Sequence, residues 1–84
     1  MRQVVLYTRE GCCLCDDARE ALVRVRDESD PRFALQERDI EADARLFKAY
    51  LERIPVVTID GEEAFELFVD ETELRRRLGI VEAR

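Results

Sequence analysis

Gln3-Val4-Val5-Leu6-Tyr7-Thr8-Arg9-Glu10-Gly11-Cys12-Cys13-Leu14-Cys15 is the stretch whose reading decides the fold. Its first six residues are a short apolar run rich in β-branched and aromatic side chains, the mark of a buried strand. Arg9-Glu10-Gly11 breaks that run. Leu14, Ala18, Ala21, Leu22 and Val25 then recur at helical spacing, which predicts a helix from near the cysteines to about Asp27. Asp16 and Asp17 suit the first turn of such a helix, and Arg24 and Arg26 suit its last. All three cysteines of the chain therefore stand at one strand-to-helix junction.

The chain beyond the junction continues in the same style. Ser29-Asp30-Pro31 is a stop signal for the helix. Phe33 to Ile40 reads as a second strand. Leu46, Phe47, Tyr50 and Leu51 form one face of a second helix, with Asp43 as its cap. Arg53-Ile54-Pro55 closes that segment, and Val56 to Ile59 is a third strand. Asp60-Gly61 is a strong hairpin signal, because a type I′ turn needs positive φ at both central residues. Glu62 to Val69 is read as the returning fourth strand, with Phe65, Leu67 and Val69 alternating on one face. Asp70-Glu71-Thr72-Glu73 is a variant capping box for a last helix, with Leu74 and Leu78 inward and Gly79 as its stop. The order is βαβαββα, one α/β domain over residues 1–84. The first two strands should be parallel through a right-handed crossover, and the last two an antiparallel hairpin. A four-stranded mixed sheet with helices on both faces is the economical packing.

Composition narrows the function. The chain of 84 residues is 46% hydrophobic and 40% charged, which describes a small globular domain. Its 14 basic and 20 acidic residues give a net charge of −6, which disfavours nucleic-acid and anionic-membrane partners. No apolar run approaches the ~20 residues of a membrane span. Met1 to Thr8 lacks a secretory cleavage pattern, so the expected location is cytoplasmic. In a reducing cytoplasm, clustered cysteines mean redox chemistry or metal binding sooner than a structural staple. The absence of histidine excludes Ser-His-Asp hydrolases, Cys-His proteases and histidine-based zinc sites.

Disulfide exchange needs an exposed, stabilised thiolate and a second thiol that releases the mixed disulfide. A helix amino terminus supplies unpaired N–H groups and a partial positive charge. The Cys12-x-x-Cys15 spacing brings a second sulfur within reach across one turn. Arg9 adds a field that favours a Cys12 thiolate, and Asp16, four residues on, opposes it together with Asp17. The balance is expected to lower the Cys12 pKa moderately, to the upper part of the ~3.5–7.5 range of helix-start cysteines. The other reading of the same cysteines is a thiolate site for Cu(I), Zn(II) or an iron–sulfur cluster.

A Cys-x-x-Cys at a strand-to-helix junction, a second βα unit and a proline opening a hairpin together resemble the thioredoxin superfamily. The string Val4 to Cys15 is closer to glutaredoxin, with its apolar strand, Tyr-Thr, basic residue, Gly turn and Cys pair. The resemblance implies a thiol-disulfide oxidoreductase. In it Cys12 is the nucleophile, Cys15 the resolving thiol, and Pro55 the cis-proline beside them. Ile54 would offer its backbone to an extended substrate chain, and Arg9 would be the basic residue near the nucleophile. A monomer is expected, acting on a disulfide-containing protein and fed by thioredoxin reductase or glutathione, with no cofactor beyond the dithiol itself. Three positions depart from the glutaredoxin pattern. Cys13 replaces the usual proline, Leu14 replaces the aromatic residue, and Glu66-Leu67-Phe68-Val69-Asp70 stands where a Gly-Gly pair followed by an acidic residue grips glutathione. Only Asp70 matches the acidic residue, so the departure implies weak use of glutathione.

Overall fold

Strand alternation sets the architecture. In β1 (Gln3–Thr8) Val4, Leu6 and Thr8 are buried while Val5 and Tyr7 between them are only partly so, so successive side chains serve opposite faces of a sheet. The computed structural model describes residues 2–28 and 33–79. The sheet has four strands in the order β2-β1-β3-β4, with β2 at Ala34–Asp39, β3 at Val56–Ile59 and β4 at Glu62–Glu66. β1 and β2 are parallel, and β1–β3 and β3–β4 are antiparallel. The mixed four-stranded sheet and the βαβαββα order read from the sequence are what the chain forms.

Helix α1 (Cys13–Glu28) lies on the face of Val4 and Leu6. Its Ala18, Leu22 and Val25 join those residues, Phe33, Val57, Ile59 and Leu74 in one core. Leu6, Leu22, Val25, Val57 and Leu74 are wholly buried, and each contributes roughly 1.5–3 kcal/mol by leaving water. Leu74 comes from α3 (Glu71–Leu78), so α1 and α3 share that face. Helix α2 (Ala44–Tyr50) covers the other, where its Tyr50 ring lies 4.9 Å from that of Tyr7. The stop at Ser29-Asp30-Pro31 falls outside the described residues.

The turns follow their chemistry. Asp60 and Gly61 both have positive φ, 52° and 89°, as the hairpin signal requires. Asp43 caps α2 by accepting from Arg45 N–H at 2.8 Å. Asp70 caps α3 by accepting from Thr72 and Glu73 N–H at 3.0 and 3.2 Å. The capping box is not reciprocal, however, because the Glu73 carboxylate turns to Arg76 and Arg77.

Two boundaries differ from the sequence reading. The second strand stops at Asp39, and the wholly buried Ile40 opens a 3₁₀ helix, Ile40–Ala42. The fourth strand stops at Glu66 rather than Val69. Leu67 takes φ of 72°, and its N–H donates to the carbonyls of Arg53 and Pro55 at 3.2 and 2.9 Å. Leu67 is therefore not inward with Phe65 and Val69; it is 48% exposed, and Phe68 is 67% exposed. Alternation alone could not show that a distant loop would capture this N–H.

The last helix carries an acid-sensitive element. Arg76, and then Arg77, hold the Glu73 carboxyl at about 2, below its ordinary 4.5. Arg24 lowers Glu71 in the same direction. A carboxyl depressed in the folded state adds stability above its unfolded pKa and loses it as pH falls through the folded value. Urea denaturation should show stability declining from about pH 4.5 toward 2. Glu73→Gln should flatten part of that decline, and added salt should shrink it, since these pairs are at the surface. A decline that is identical in Glu73→Gln would contradict the assignment.

Candidate active site

The turn from β1 into α1 positions the cysteines. Gly11 supplies the φ of 79° that lets the chain leave the strand and enter the helix. Cys12 then occupies the helix-cap position. Its carbonyl accepts the first helical bond from Asp16 N–H at 3.2 Å, and its Sγ accepts from Cys15 N–H at 3.1 Å. That is the geometry of a side-chain N-cap, with sulfur in place of the usual oxygen. Cys12 is half-buried and Cys15 is 0% exposed. The two form a disulfide with Cα atoms 5.2 Å apart, and Cys13 is a free, exposed thiol. The three cysteines are thus sorted by exposure, with Cys15 inside, Cys12 at the rim and Cys13 outside. Among the described residues no group of three or more Cys, Asp or Glu side chains is placed to hold a metal ion.

Register brings other segments to the same end of the sheet. Tyr7, near the end of β1, pairs with Val56 at the start of β3, and Val56 pairs with Glu66 at the end of β4. The cysteine turn, the Arg53-Ile54-Pro55 loop and Leu67-Phe68 therefore leave the sheet together, across about two strand spacings, or ~10 Å. The Ile54–Pro55 peptide bond is cis, and Pro55 is buried. Ile54 is half-buried, and its N–H already donates to the Tyr50 carbonyl at 3.1 Å.

Two of the charges that the sequence sets around Cys12, Arg9 and Asp16, are engaged elsewhere. Arg9 Nε donates to Glu41 at 2.6 Å, and its guanidinium sits 5.6 Å from the Phe47 ring centroid. Asp16 accepts from Arg19 at 2.7 Å, and Arg19 also donates to Glu37. Glu37, then Asp16, raises the Arg19 pKa, so this guanidinium stays charged beside Asp16. Each of these two fields on Cys12 is accordingly weakened by an opposite charge nearby, and the Cys15 backbone N–H is the direct contact to the sulfur. Asp70, the one match to the acidic residue of the glutathione grip, is committed to capping α3.

Arg53 is a residue that sequence reasoning missed. Its guanidinium donates to Glu66 at 2.8 Å and to Glu63, and it lies 5.4 Å from the Tyr50 ring centroid. Glu66 and then Glu63 raise its pKa, so it remains a permanent cation there. Arg53 clamps the loop before Pro55 to β4 and α2. The only signal in the sequence is an arginine next to Ile-Pro, and nothing in it points to partners on a later strand.

A strand–helix junction that places a Cys-x-x-Cys disulfide at a helix cap, on this sheet, defines a protein of the thioredoxin fold. The chain belongs to the glutaredoxin-like domain family (DUF836), whose model matches residues 3–79. It is similar to a glutaredoxin-like protein of Dictyostelium discoideum, 35% identical over 72 residues that span 81% of this chain and 67% of that protein. Among solved structures it resembles a structural-genomics target from X. campestris, at 36% identity and TM-score 0.73, covering 90% of this chain and 95% of the other. A protein from Nitrosomonas europaea matches at 28% identity and TM-score 0.77, covering 90% and 89%. A thioredoxin from Halobacterium salinarum shares the fold alone, at 19% identity and TM-score 0.67 over 99% of this chain and 77% of that one.

Leu67 is held in a backbone region that suits glycine. A left-handed conformation costs an L-residue roughly 1–2 kcal/mol, and glycine gives back part of that through its greater unfolded-state entropy. Leu67→Gly should therefore raise the stability to urea by about 0.5–1 kcal/mol, with the N–H bonds to Arg53 and Pro55 retained. A loss of stability would show that the Leu67 side chain contributes packing that outweighs its backbone strain.

Proposed function

We propose that this chain is a thiol-disulfide oxidoreductase in which Cys12 attacks and Cys15 resolves. The observation that carries the reading is the Cys12 sulfur at the cap of α1, 3.1 Å from Cys15 N–H, bonded to a Cys15 with no exposure. A hydrogen bond at a helix start favours a thiolate over a thiol. In the reduced protein, the Cys12 thiolate attacks one sulfur of a substrate disulfide and expels the other as a thiolate. Cys15, once deprotonated, attacks Cys12 Sγ and releases the second substrate sulfur. Two electrons pass to the substrate, its two sulfurs take up two protons, and the chain is left as the Cys12–Cys15 disulfide.

The surroundings support a protein disulfide as substrate. Leu14, Leu67 and Phe68 are exposed apolar side chains carried by the segments at the active end. Pairing with an extended substrate chain would run through the Ile54 carbonyl, because its N–H is in use. Leu67-Phe68 in place of a Gly-Gly pair removes the close backbone approach that a γ-glutamyl group needs. Arg9, tied to Glu41, serves substrate binding only where that pair opens. We therefore infer an external dithiol system such as thioredoxin reductase, rather than glutathione, as the better electron donor.

Disulfide reduction by the purified chain tests the reading. Cys12→Ser should fall to the uncatalysed level, with stability within about 1 kcal/mol of the reduced parent because serine is also a good cap. Cys15→Ser should perform one attack and stall as a mixed disulfide on Cys12, visible by mass. The parent should turn over faster with a thioredoxin reductase system than with glutathione alone. Substantial activity in Cys12→Ser would overturn the assignment.

A further inference from the structure

Thr8 is the last residue of β1, and its side chain is an anomaly. The residue is only 8% exposed, and its Oγ1 has no hydrogen-bond partner among the described residues. A buried hydroxyl without a partner is costly, and such groups call for an explanation.

Placement supplies one. Thr8 follows Val4 and Leu6 on the face that α1 covers. The four residues 9–12 turn the chain directly into α1, so the helix begins over the end of β1 and runs back along it. Ala18, Leu22 and Val25 of α1 pack in the core with Leu6 and Val4. The first inward residue of α1, Cys15, thereby falls over the strand end, where Thr8 is. The other buried polar side chain among the described residues is Thr58. It pairs with Val5 and lies between the core residues Val57 and Ile59, so it serves the opposite face. Neither a carboxylate nor an amine is buried with Cys15 among the described residues.

We propose that Thr8 is the positioning residue for the buried sulfur, its hydroxyl bonding Cys15 Sγ when the Cys12–Cys15 bond is open and losing that partner when the bond closes. The proposal rests on the oxidoreductase reading. In the resolving step Cys15 Sγ attacks Cys12 Sγ, and the proton that the Cys15 thiol gives up ends on the departing substrate sulfur. The Cys12–substrate S–S bond breaks, and the substrate leaves as a thiolate that takes up that proton. A sulfur with no exposure cannot draw on water for the charge it carries before attack. The Thr8 hydroxyl is the donor placed to hold that charge and to orient the sulfur. A bond made only in the open state favours the reduced dithiol, so Thr8 makes the couple more oxidising than it would otherwise be.

The test compares the full chain with Thr8→Val, which keeps the branched shape, and Thr8→Ser, which keeps the hydroxyl. The equilibrium between Cys12–Cys15 disulfide and dithiol is measured in a dithiothreitol redox buffer, with urea stability of both forms. Thr8→Val should shift the equilibrium toward the disulfide by roughly three- to tenfold, the worth of one such hydrogen bond. Thr8→Ser should stay within about twofold of the parent on the same scale. Oxidised Thr8→Val should be at least as stable as the parent and reduced Thr8→Val less stable, an opposition that a space-filling role cannot produce. If Thr8→Val does not fold, Thr8→Ala against Thr8→Ser makes the same comparison. A parent with a reversible couple and a Thr8→Val equilibrium equal to it would overturn the proposal alone. A parent with no reversible Cys12–Cys15 couple would overturn the oxidoreductase reading and this proposal with it.

Discussion

The rest of the site depends on one contact, the hydrogen bond from Cys15 N–H to Cys12 Sγ at the start of α1. The first N–H groups of a helix have no partners inside it, and one of them must be met from outside. Most helices use an oxygen for this; α1 uses the Cys12 sulfur, the one we propose as the nucleophile. The same bond fixes which sulfur is outer and which is inner. A cap residue sits at the rim, and the third residue after it turns under the helix onto the sheet, which is why Cys12 is half-buried and Cys15 is not exposed at all. Cys13, between them, projects to solvent and stays free.

The sheet makes that geometry rigid. Thr8, Tyr7 and Val56 belong to central strands whose side chains are held on both faces, by α1 and α3 on one and α2 on the other. The loop before Pro55 is pinned by the Arg53 clamp and by Leu67 N–H. Exposed ion pairs are individually weak. Here the arginine meets two carboxylates and an aromatic ring at once, so it fixes a loop position more than it adds stability. Leu67 is the accompanying strain: a leucine in a glycine-like conformation, kept because its N–H satisfies two carbonyls of that loop.

Much of this was legible in the sequence because it is local. The apolar run of β1, the periodicity of α1, the Asp60-Gly61 turn and the Asp43 and Asp70 caps depend on neighbours within a few residues. The cysteine pair was legible for the same reason. What stayed hidden depends on distant partners. Phe65, Leu67 and Val69 alternate as a strand should, yet the chain turns at Leu67 because carbonyls of residues 53 and 55 capture its N–H. Arg9 and Asp16 look like fields on Cys12 until Glu41 and Arg19 are seen to engage them. The unpartnered hydroxyl of Thr8 is likewise a fact of packing, since a threonine in a strand is otherwise unremarkable.

The central claim is that Cys12 and Cys15, and not Cys13, form the working redox couple. It is tested most directly by equilibrating the chain across a series of dithiol redox buffers, trapping free thiols by alkylation and mapping the peptides by mass. The account predicts one reversible two-electron transition, with Cys12 and Cys15 losing their alkyl labels together and Cys13 labelled at every potential. A principal disulfide that includes Cys13, or the absence of any reversible transition, would contradict it.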